Sequence, residues 1–147
     1  MTAEDIQNLR ERTGAGVMDA KRALEEALGD IDRAVEIIQE KGLVKAEKKA
    51  DRTTGAGLIF SYIHNDRIGV LLDIRCETDF VARTDDFKEL TRDIAMQIAA
   101  MEPENIPALM AEPFIKNESI TVENLIKGVI AKVGENIRVE KFCRYAI

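Results

Sequence analysis

The sequence predicts an α+β protein, in which a bundle of three helices and a helical linker precede a three-stranded antiparallel sheet with helices on one face. Apolar residues recur with helical spacing in residues 4–41, and they alternate as in a strand from residue 58 onwards. A lysine-rich stretch separates the two patterns. We therefore divide the chain into a helical module at residues 1–41, a linker at 42–53 and an α+β core at 54–147.

The N-terminal module holds three short runs of apolar residues with helical spacing. Their apolar positions are Ile6, Leu9, Met18, Ala23, Leu24, Ala27, Leu28, Ile31, Ala34, Val35, Ile37 and Ile38. The breaks between the runs are "TGAG" at 13–16 and "LGD" at 28–30, because glycine adopts the left-handed backbone that ends a helix and Asp30 can cap the next one. About forty residues is near the lower limit for a bundle that folds alone. The sequence thus predicts a module of marginal stability.

The segment "GLVKAEKKADR" at 42–52 joins the module to the core. It is rich in lysine and prone to form a helix, and it has few apolar residues to hold it to a core. This composition predicts a solvated helical linker rather than a binding patch. The boundary of the core then falls near residue 53.

Strands and helices follow one another in the core. The stretch "GLIFSYIHNDRIGVLLDIRC" alternates on both sides of the turn residues "HNDR", which predicts a hairpin. The apolar stripe of "DDFKELTRDIAMQIAAM" predicts a long amphipathic helix, and three prolines predict that residues 102–118 are irregular. A helix from Thr121 to Gly134 and the alternating "NIRVEKFCRYAI" complete the predicted α+β arrangement.

Composition excludes several classes of partner. The 147 residues carry a formal net charge of −6 with acids and bases interspersed, so there is no basic field for nucleic acid. The N-terminus lacks the apolar centre of a secretion signal, and no apolar run approaches membrane-spanning length. We therefore expect a cytoplasmic protein with no direct nucleic-acid or membrane partner. Cys76 and Cys143 lie far apart, and we expect small buried side chains rather than a metal or redox pair.

The polar residues show no pattern of a catalytic, cofactor or metal site. His64, the single histidine, falls in the predicted hairpin turn without a second imidazole or a nucleophile nearby. Neither "TGAG" nor "TTGAG" has the residues of a phosphate-binding loop. Asp85 and Asp86 fall in the first turn of a helix, where the helix dipole favours acids. The sequence therefore predicts a protein that is not an enzyme and binds no cofactor.

Two stretches carry apolar residues that the local structure does not require. In "CETDFVAR" a strand ends and the next helix has its own cap, so Asp79, Phe80 and Val81 need another explanation. In "RTGAGVMDAK" Val17 and Met18 directly follow a flexible loop. Packing in the core is the ordinary explanation for such residues, and exposure to a partner is the alternative. Periodicity alone does not decide between them.

Four fragments, in collinear order over nearly the whole chain, resemble translation elongation factor Ts. They are "LRERTGAGVMDAKRALEEALGDIDRAVEIIQEKG", "CETDFVAR", "PFIKNESITVENLI" and "KVGENIRVEKFCRY". The resemblance implies a ubiquitin-associated-type (UBA-like) three-helix module at the N-terminus. It also implies a guanine nucleotide exchange factor for elongation factor Tu, the GTPase that delivers aminoacyl-tRNA. Longer members carry a second core copy and a helical-hairpin insertion, for which this chain has no room.

The resemblance further implies which residues of "TDFV" contact the GTPase. Phe80 would enter an apolar crevice of the G domain with Asp79 as its polar neighbour, while Thr78 and Val81 shape the turn. The insertion would disturb the site that holds Mg²⁺ and the phosphates of GDP.

A second contact implied by the resemblance lies in the N-terminal module. Arg12, Val17 and Met18 match residues with which the family contacts a helix beside the nucleotide base. Valine stands at position 17 where many relatives have methionine, and this change keeps an apolar contact.

Two alternatives stay open from the sequence. The competing function is a UBA-type adaptor, in which the N-terminal module binds peptides and the core is structural. A homodimer, whose second core replaces the missing copy and covers an open sheet edge, competes with a monomer. In the monomer the charges of Arg138, Glu140 and Lys141 protect the edge, whereas Cys143 could lie near a dimer axis.

Overall fold

Helices form the first third of the chain, and strands and helices mix in the rest. The computed structural model describes residues 1–147. Its elements are α1 (Ala3–Thr13), α2 (Val17–Glu26), α3 (Ile31–Glu47), β1 (Ala56–His64), β2 (Ile68–Cys76), α4 (Asp79–Ala82), α5 (Asp85–Met101), α6 (Ile106–Ala111), β3 (Pro113–Phe114), β4 (Asn117–Thr121), α7 (Val122–Val133) and β5 (Arg138–Ala146). The predicted α+β class, with its three-stranded antiparallel sheet, is confirmed.

Helices α1, α2 and α3 surround a small apolar core. Leu9 and Leu24 are fully buried in it. Helix α1 ends at Gly14, whose left-handed φ of 73° lets the chain turn toward α2. Helix α3 begins at the predicted cap, Asp30, whose carboxylate accepts a hydrogen bond of 3.1 Å from the backbone N–H of Arg33. The two glycine breaks therefore end and start helices as the sequence indicates.

Helix α3 does not stop at the predicted end of the module but continues to Glu47. Its C-terminal half packs on α7, because Gly42 leaves room for Ala131: a Cβ atom at Gly42 would stand 3.3 Å from that methyl group. Ala46 is buried in the core formed by the sheet and its helices. The expectation of a solvated linker at 42–53 is thus wrong for the face of α3 that carries these small residues. The division into domains remains a prediction.

The large sheet has the strand order β1, β2, β5, and all neighbours are antiparallel. The turn between β1 and β2 is tight: three residues join the paired His64 and Ile68, and two of them, Asn65 and Asp66, have left-handed φ values of 51° and 59°, which asparagine and aspartate tolerate. Val70, Leu72 and Ile74 point from the central strand into the core. The other side of the sheet is not covered by any helix, which leaves an open face.

Helix α5 covers the inner face of the sheet, and α7 packs beside it against α5, α6 and α3. Helix α5 is capped by Thr84 and α7 by Thr121, and α7 ends at the left-handed Gly134, all as predicted. Ile94 and Ile130 are among the residues that these helices bury. Each such side chain contributes about 1.5 to 3 kcal/mol when it is removed from water. This layer is therefore the main source of stability.

The prediction that residues 102–118 are irregular is wrong. Asn105 caps α6 by accepting a hydrogen bond of 2.8 Å from the N–H of Ala108, and Pro107 lies in the first turn of that helix. Proline is tolerated there because a first-turn N–H has no partner within the helix. The prolines shape a short helix rather than prevent one.

A short hairpin of β3 and β4 follows α6, and a buried side chain holds it to the core. Gln97 of α5 donates a hydrogen bond of 3.1 Å to the carbonyl of Pro113 and accepts one of 2.9 Å from the N–H of Ile115. An amide that is completely buried needs such partners. The hairpin is thus fixed by a contact from a distant part of the chain.

The two cysteines differ in exposure. Cys76 is buried, as predicted, whereas Cys143 is exposed, because it lies opposite Leu71 on the open face of the sheet. The expectation of two buried cysteines is wrong for Cys143. None of the helices combines the length and the apolar character that crossing a membrane requires.

Candidate functional site

Phe80 projects from the surface in the segment that connects β2 to α5. It belongs to a turn that we name the Phe80 turn, residues 77–82, which includes the single-turn helix α4. The Phe80 side chain is 79% exposed. Burying a phenylalanine contributes about 2 to 3 kcal/mol, and this residue forgoes most of that gain in the free protein. The core-packing explanation of Phe80 is therefore wrong.

The residues beside Phe80 fix the turn in place. Thr78 caps α4 by accepting a hydrogen bond of 3.3 Å from the N–H of Val81. Val81 itself is buried in the core, and its carbonyl accepts a hydrogen bond of 2.7 Å from the hydroxyl of Thr84. Val81 thus holds the turn from within, and its part in a partner contact remains a prediction.

Asp79 is exposed beside Phe80. Its side chain forms no hydrogen bond or ion pair in the structure, whereas Thr78 has several hydrogen-bond partners. A free carboxylate next to an exposed aromatic ring offers a polar contact at the rim of an apolar one. Asp79 and Phe80 are therefore the two residues of "TDFV" that a partner can reach most directly.

A glutamate from another part of the chain supports the Phe80 turn. Glu135, just after α7, accepts hydrogen bonds of 3.2 and 2.9 Å from the backbone N–H groups of Glu77 and Thr78. Its other oxygen accepts one of 2.8 Å from the hydroxyl of Thr78. Sequence reasoning missed Glu135, because an acid after a helix-ending glycine gives no local sign of a partner 57 residues away.

The second predicted contact lies at the junction of α1 and α2. We name it the α1–α2 surface, and it consists of Arg12, Val17 and Met18. Val17 is 49% and Met18 57% exposed, so neither serves mainly to pack the bundle. Arg12 forms an exposed ion pair of 3.0 Å with Asp32. Such a pair contributes little and is easily exchanged for another partner.

The structure brings this surface close to the end of the core that carries Phe80. Gly14, in the loop between α1 and α2, lies so close to Lys132 of α7 that a Cβ atom would overlap its side chain. The ammonium group of Lys132 is 3.8 Å from a carboxylate oxygen of Asp86, in the first turn of α5. The α1–α2 loop and the start of α5 are therefore joined by one lysine side chain.

No chemistry of a catalytic site is assembled around these residues. Cys76 lies under the Phe80 turn and donates a hydrogen bond of 3.2 Å to the carbonyl of Thr78. Burial raises the pKa of the Cys76 thiol, which disfavours the nucleophilic thiolate. No group of three acidic, histidine or cysteine side chains could hold a metal ion. His64 lies at the hairpin turn, with its Nδ1 2.8 Å from the hydroxyl oxygen of Tyr62.

The open face of the sheet is a third exposed apolar area. We name it the outer sheet face, and its apolar residues come from all three strands: Ile59, Ile63, Leu71, Cys143 and Tyr145. Leu71, on the central strand β2, lies directly opposite Cys143 of the edge strand β5. An apolar area of this kind on a small protein is typical of a contact with another protein.

Comparisons with known proteins point to one family. Residues 77–147 match the sequence model of a family described as "Elongation factor TS". The chain is 44% identical to "Elongation factor Ts" of Carboxydothermus hydrogenoformans, over all of this chain and 89% of the relative. It is 44% identical to that of Fervidobacterium nodosum, over all of this chain and 98% of the relative. For Thermotoga maritima the identity is 45%, over 97% and 94%.

The alignments also reveal a difference in length. The alignment with the first of these relatives runs over 193 positions, whereas the chain has 147 residues. The difference, 193 − 147, means that at least 46 positions of that alignment have no counterpart in this chain. The Phe80 turn lies within the residues that match the family model.

Proposed function

Since the chain belongs to the elongation factor Ts family, we propose that it is a guanine nucleotide exchange factor for elongation factor Tu that works by inserting Phe80 into the G domain. The observation that carries this proposal is the exposed phenylalanine on a turn that is itself held rigidly. The insertion would disturb the site of Mg²⁺ and the phosphates. A function in translation elongation would place the protein in the cytoplasm.

Such a factor needs no catalytic group. It accelerates GDP release if it binds the nucleotide-free GTPase more tightly than the GDP-bound one, because part of its binding energy then opposes GDP and Mg²⁺. The coupling is reciprocal, so GDP must weaken the binding of the factor by the same ratio.

The magnitude of the effect indicates that Phe80 does not act alone. Burying its ring supplies about 2 to 3 kcal/mol, which corresponds to roughly 30- to 140-fold in an equilibrium. Greater acceleration must draw on further contacts. The α1–α2 surface offers them, and the contacts of Lys132 with Gly14 and Asp86 keep it beside the same end of the core. Phe80 would loosen the phosphate side of the nucleotide, and the α1–α2 surface would loosen the base side.

We also propose that the protein forms a homodimer through the outer sheet face. Leu71 lies on the central strand of this face, and a two-fold arrangement would bury the same residues of both copies. The second core would then stand where longer relatives have a second core copy. The alternative, a monomer, would leave the exposed Ile59, Ile63 and Tyr145 in water.

Release of a fluorescent GDP analogue from elongation factor Tu tests the proposed function. We expect faster release when the protein is added and competition between the protein and excess GDP. An adaptor that binds peptides through its helical module would leave the release rate unchanged. That result would overturn the proposal in favour of the adaptor.

A further inference from the structure

We infer that Glu135 is a positioning residue, whose carboxylate sets the orientation in which the Phe80 turn presents its aromatic ring. The inference rests on the proposed function, because it concerns how the same contact is made. In the proposed complex Glu135 touches neither the GTPase nor the nucleotide. It acts through the backbone that carries Phe80.

The Phe80 ring has little else to hold it. It is mostly exposed, so packing does not choose its direction, and the backbone of residues 77–80 must do so. Cys76 before this segment and Val81 after it are buried in the core. The segment between them is anchored by hydrogen bonds rather than by apolar contacts, which makes those bonds decisive for the position of the ring.

Glu135 accepts three of those bonds. Its carboxylate satisfies two consecutive N–H groups, of Glu77 and Thr78, that no strand or helix partner takes up. The Thr78 hydroxyl donates to Glu135 and at the same time accepts from the N–H of Val81. The carboxylate thus reaches both sides of Phe80, directly on one side and through one hydroxyl on the other. Hydrogen bonds to a charged acceptor are shorter and stronger than those between neutral groups.

The support is reciprocal between the two segments. The carboxylate of Glu77 accepts a hydrogen bond of 2.6 Å from the N–H of Asn136, the residue after Glu135. The same carboxylate lies 3.6 Å from the guanidinium group of Arg52. Each segment therefore holds the backbone of the other through one carboxylate.

Asn136 extends the connection to the N-terminal half. Its buried side-chain amide donates hydrogen bonds of 3.2 and 3.0 Å to the carbonyls of Ala50 and Arg52, just beyond α3. One short stretch, Glu135 and Asn136, thus binds both the Phe80 turn and the segment that leads from the helical bundle. It fixes the position of Phe80 relative to the α1–α2 surface, so both contacts can be made at once.

The effect on nucleotide exchange depends on the fraction of molecules in which the Phe80 turn has the competent orientation. If the turn adopts several orientations, only the competent fraction can enter the crevice, and the apparent affinity falls by that fraction. We expect Glu135→Ala to lower the kcat/KM of GDP release about 10-fold. Glu135→Gln keeps one oxygen acceptor and should show a smaller loss.

Two backgrounds distinguish positioning from general stability. In the Phe80→Ala background, Glu135→Ala should change the exchange rate less than twofold, because there is no ring left to orient. Glu123→Gln is the matched control, since Glu123 is an exposed acid of α7 that pairs with Lys127 away from the turn. It should leave the exchange rate unchanged. Amide hydrogen exchange at Glu77 and Thr78 should be faster in Glu135→Ala alone.

The possible results test the positioning role of Glu135 and the proposed exchange function separately. Equal losses in both backgrounds, or an unchanged rate in Glu135→Ala, would overturn the positioning role while the proposed function stands. If the unmodified protein failed to accelerate GDP release, the proposed function would fall, and this inference with it. A tenfold loss confined to the background that retains Phe80 would support both.

Discussion

Replacing Phe80 with alanine should separate binding from folding. The ring is 79% exposed, so only about a fifth of its surface contributes to the stability of the free protein. A fully buried phenylalanine costs about 3 to 5 kcal/mol when it is cut to alanine, and here we expect less than about 1 kcal/mol. In the complex the whole ring would be buried. Its loss should therefore lower exchange efficiency roughly 30- to 140-fold.

Two measurements on the same sample check this expectation. Urea denaturation gives the free energy of unfolding, and stopped-flow release of a fluorescent GDP analogue gives kcat/KM for exchange. Leu28→Ala is the matched control, because Leu28 is an apolar residue that is 94% exposed in the turn between α2 and α3. It should change neither value appreciably. The reasoning is refuted if Phe80→Ala lowers stability by several kcal/mol, or if exchange by this variant equals that of the unmodified protein.

Three further changes address the remaining surfaces. Met18→Ala should weaken binding to elongation factor Tu by about 1 kcal/mol in calorimetry. Met101→Ala, at the far end of α5, should leave that affinity unchanged. Equal effects of the two changes would count against the α1–α2 surface as a contact. Leu71→Glu should convert a dimer to a monomer in light scattering, and a protein already monomeric before the change would contradict the dimer. Asp73→Asn should lower the urea midpoint at pH 7. The hydrogen bonds from Arg75 hold the pKa of the Asp73 carboxyl below its usual value. The contribution of this carboxylate to the free energy of unfolding is therefore present above the unfolded pKa of about 3.9. This contribution should vanish as the pH falls through the lower pKa of the folded state. A difference in urea midpoint between Asp73→Asn and the unmodified protein that persists at low pH would contradict the reasoning.

Elements with local signals were the ones that the sequence could predict. Helix α7 begins at Thr121 and ends at Gly134 because a hydroxyl cap and a left-handed glycine act within a few residues. The tight hairpin after β1 likewise follows from Asn65 and Asp66. Such features depend on neighbours along the chain, so that a single sequence contains the information.

Features that depend on distant partners could not be predicted in the same way. The exposure of Phe80 depends on which side of a turn faces the core, and the apolar character of the residue indicates the opposite. The role of Glu135 depends on backbone groups 57 and 58 residues earlier in the chain. The solvated face expected for α3 was wrong because small residues, Gly42 and Ala46, allow close packing without an apolar stripe.

Helix α3 belongs to the helical bundle and packs on α7 at Gly42, so a tilt of α3 about Gly42 would move the bundle. From Gly42 back to Ile31 the helix is about 16 Å long at its rise of 1.5 Å per residue. A side chain at position 42 that pushed α3 away from Ala131 by a tilt of about 10° would move the far end roughly 3 Å. Such a change alters neither Met18 nor Phe80, yet it would shift Met18 relative to Phe80. The absence of a side chain at Gly42 would thus contribute to the spacing of the two proposed contacts, together with the hydrogen bonds of Asn136.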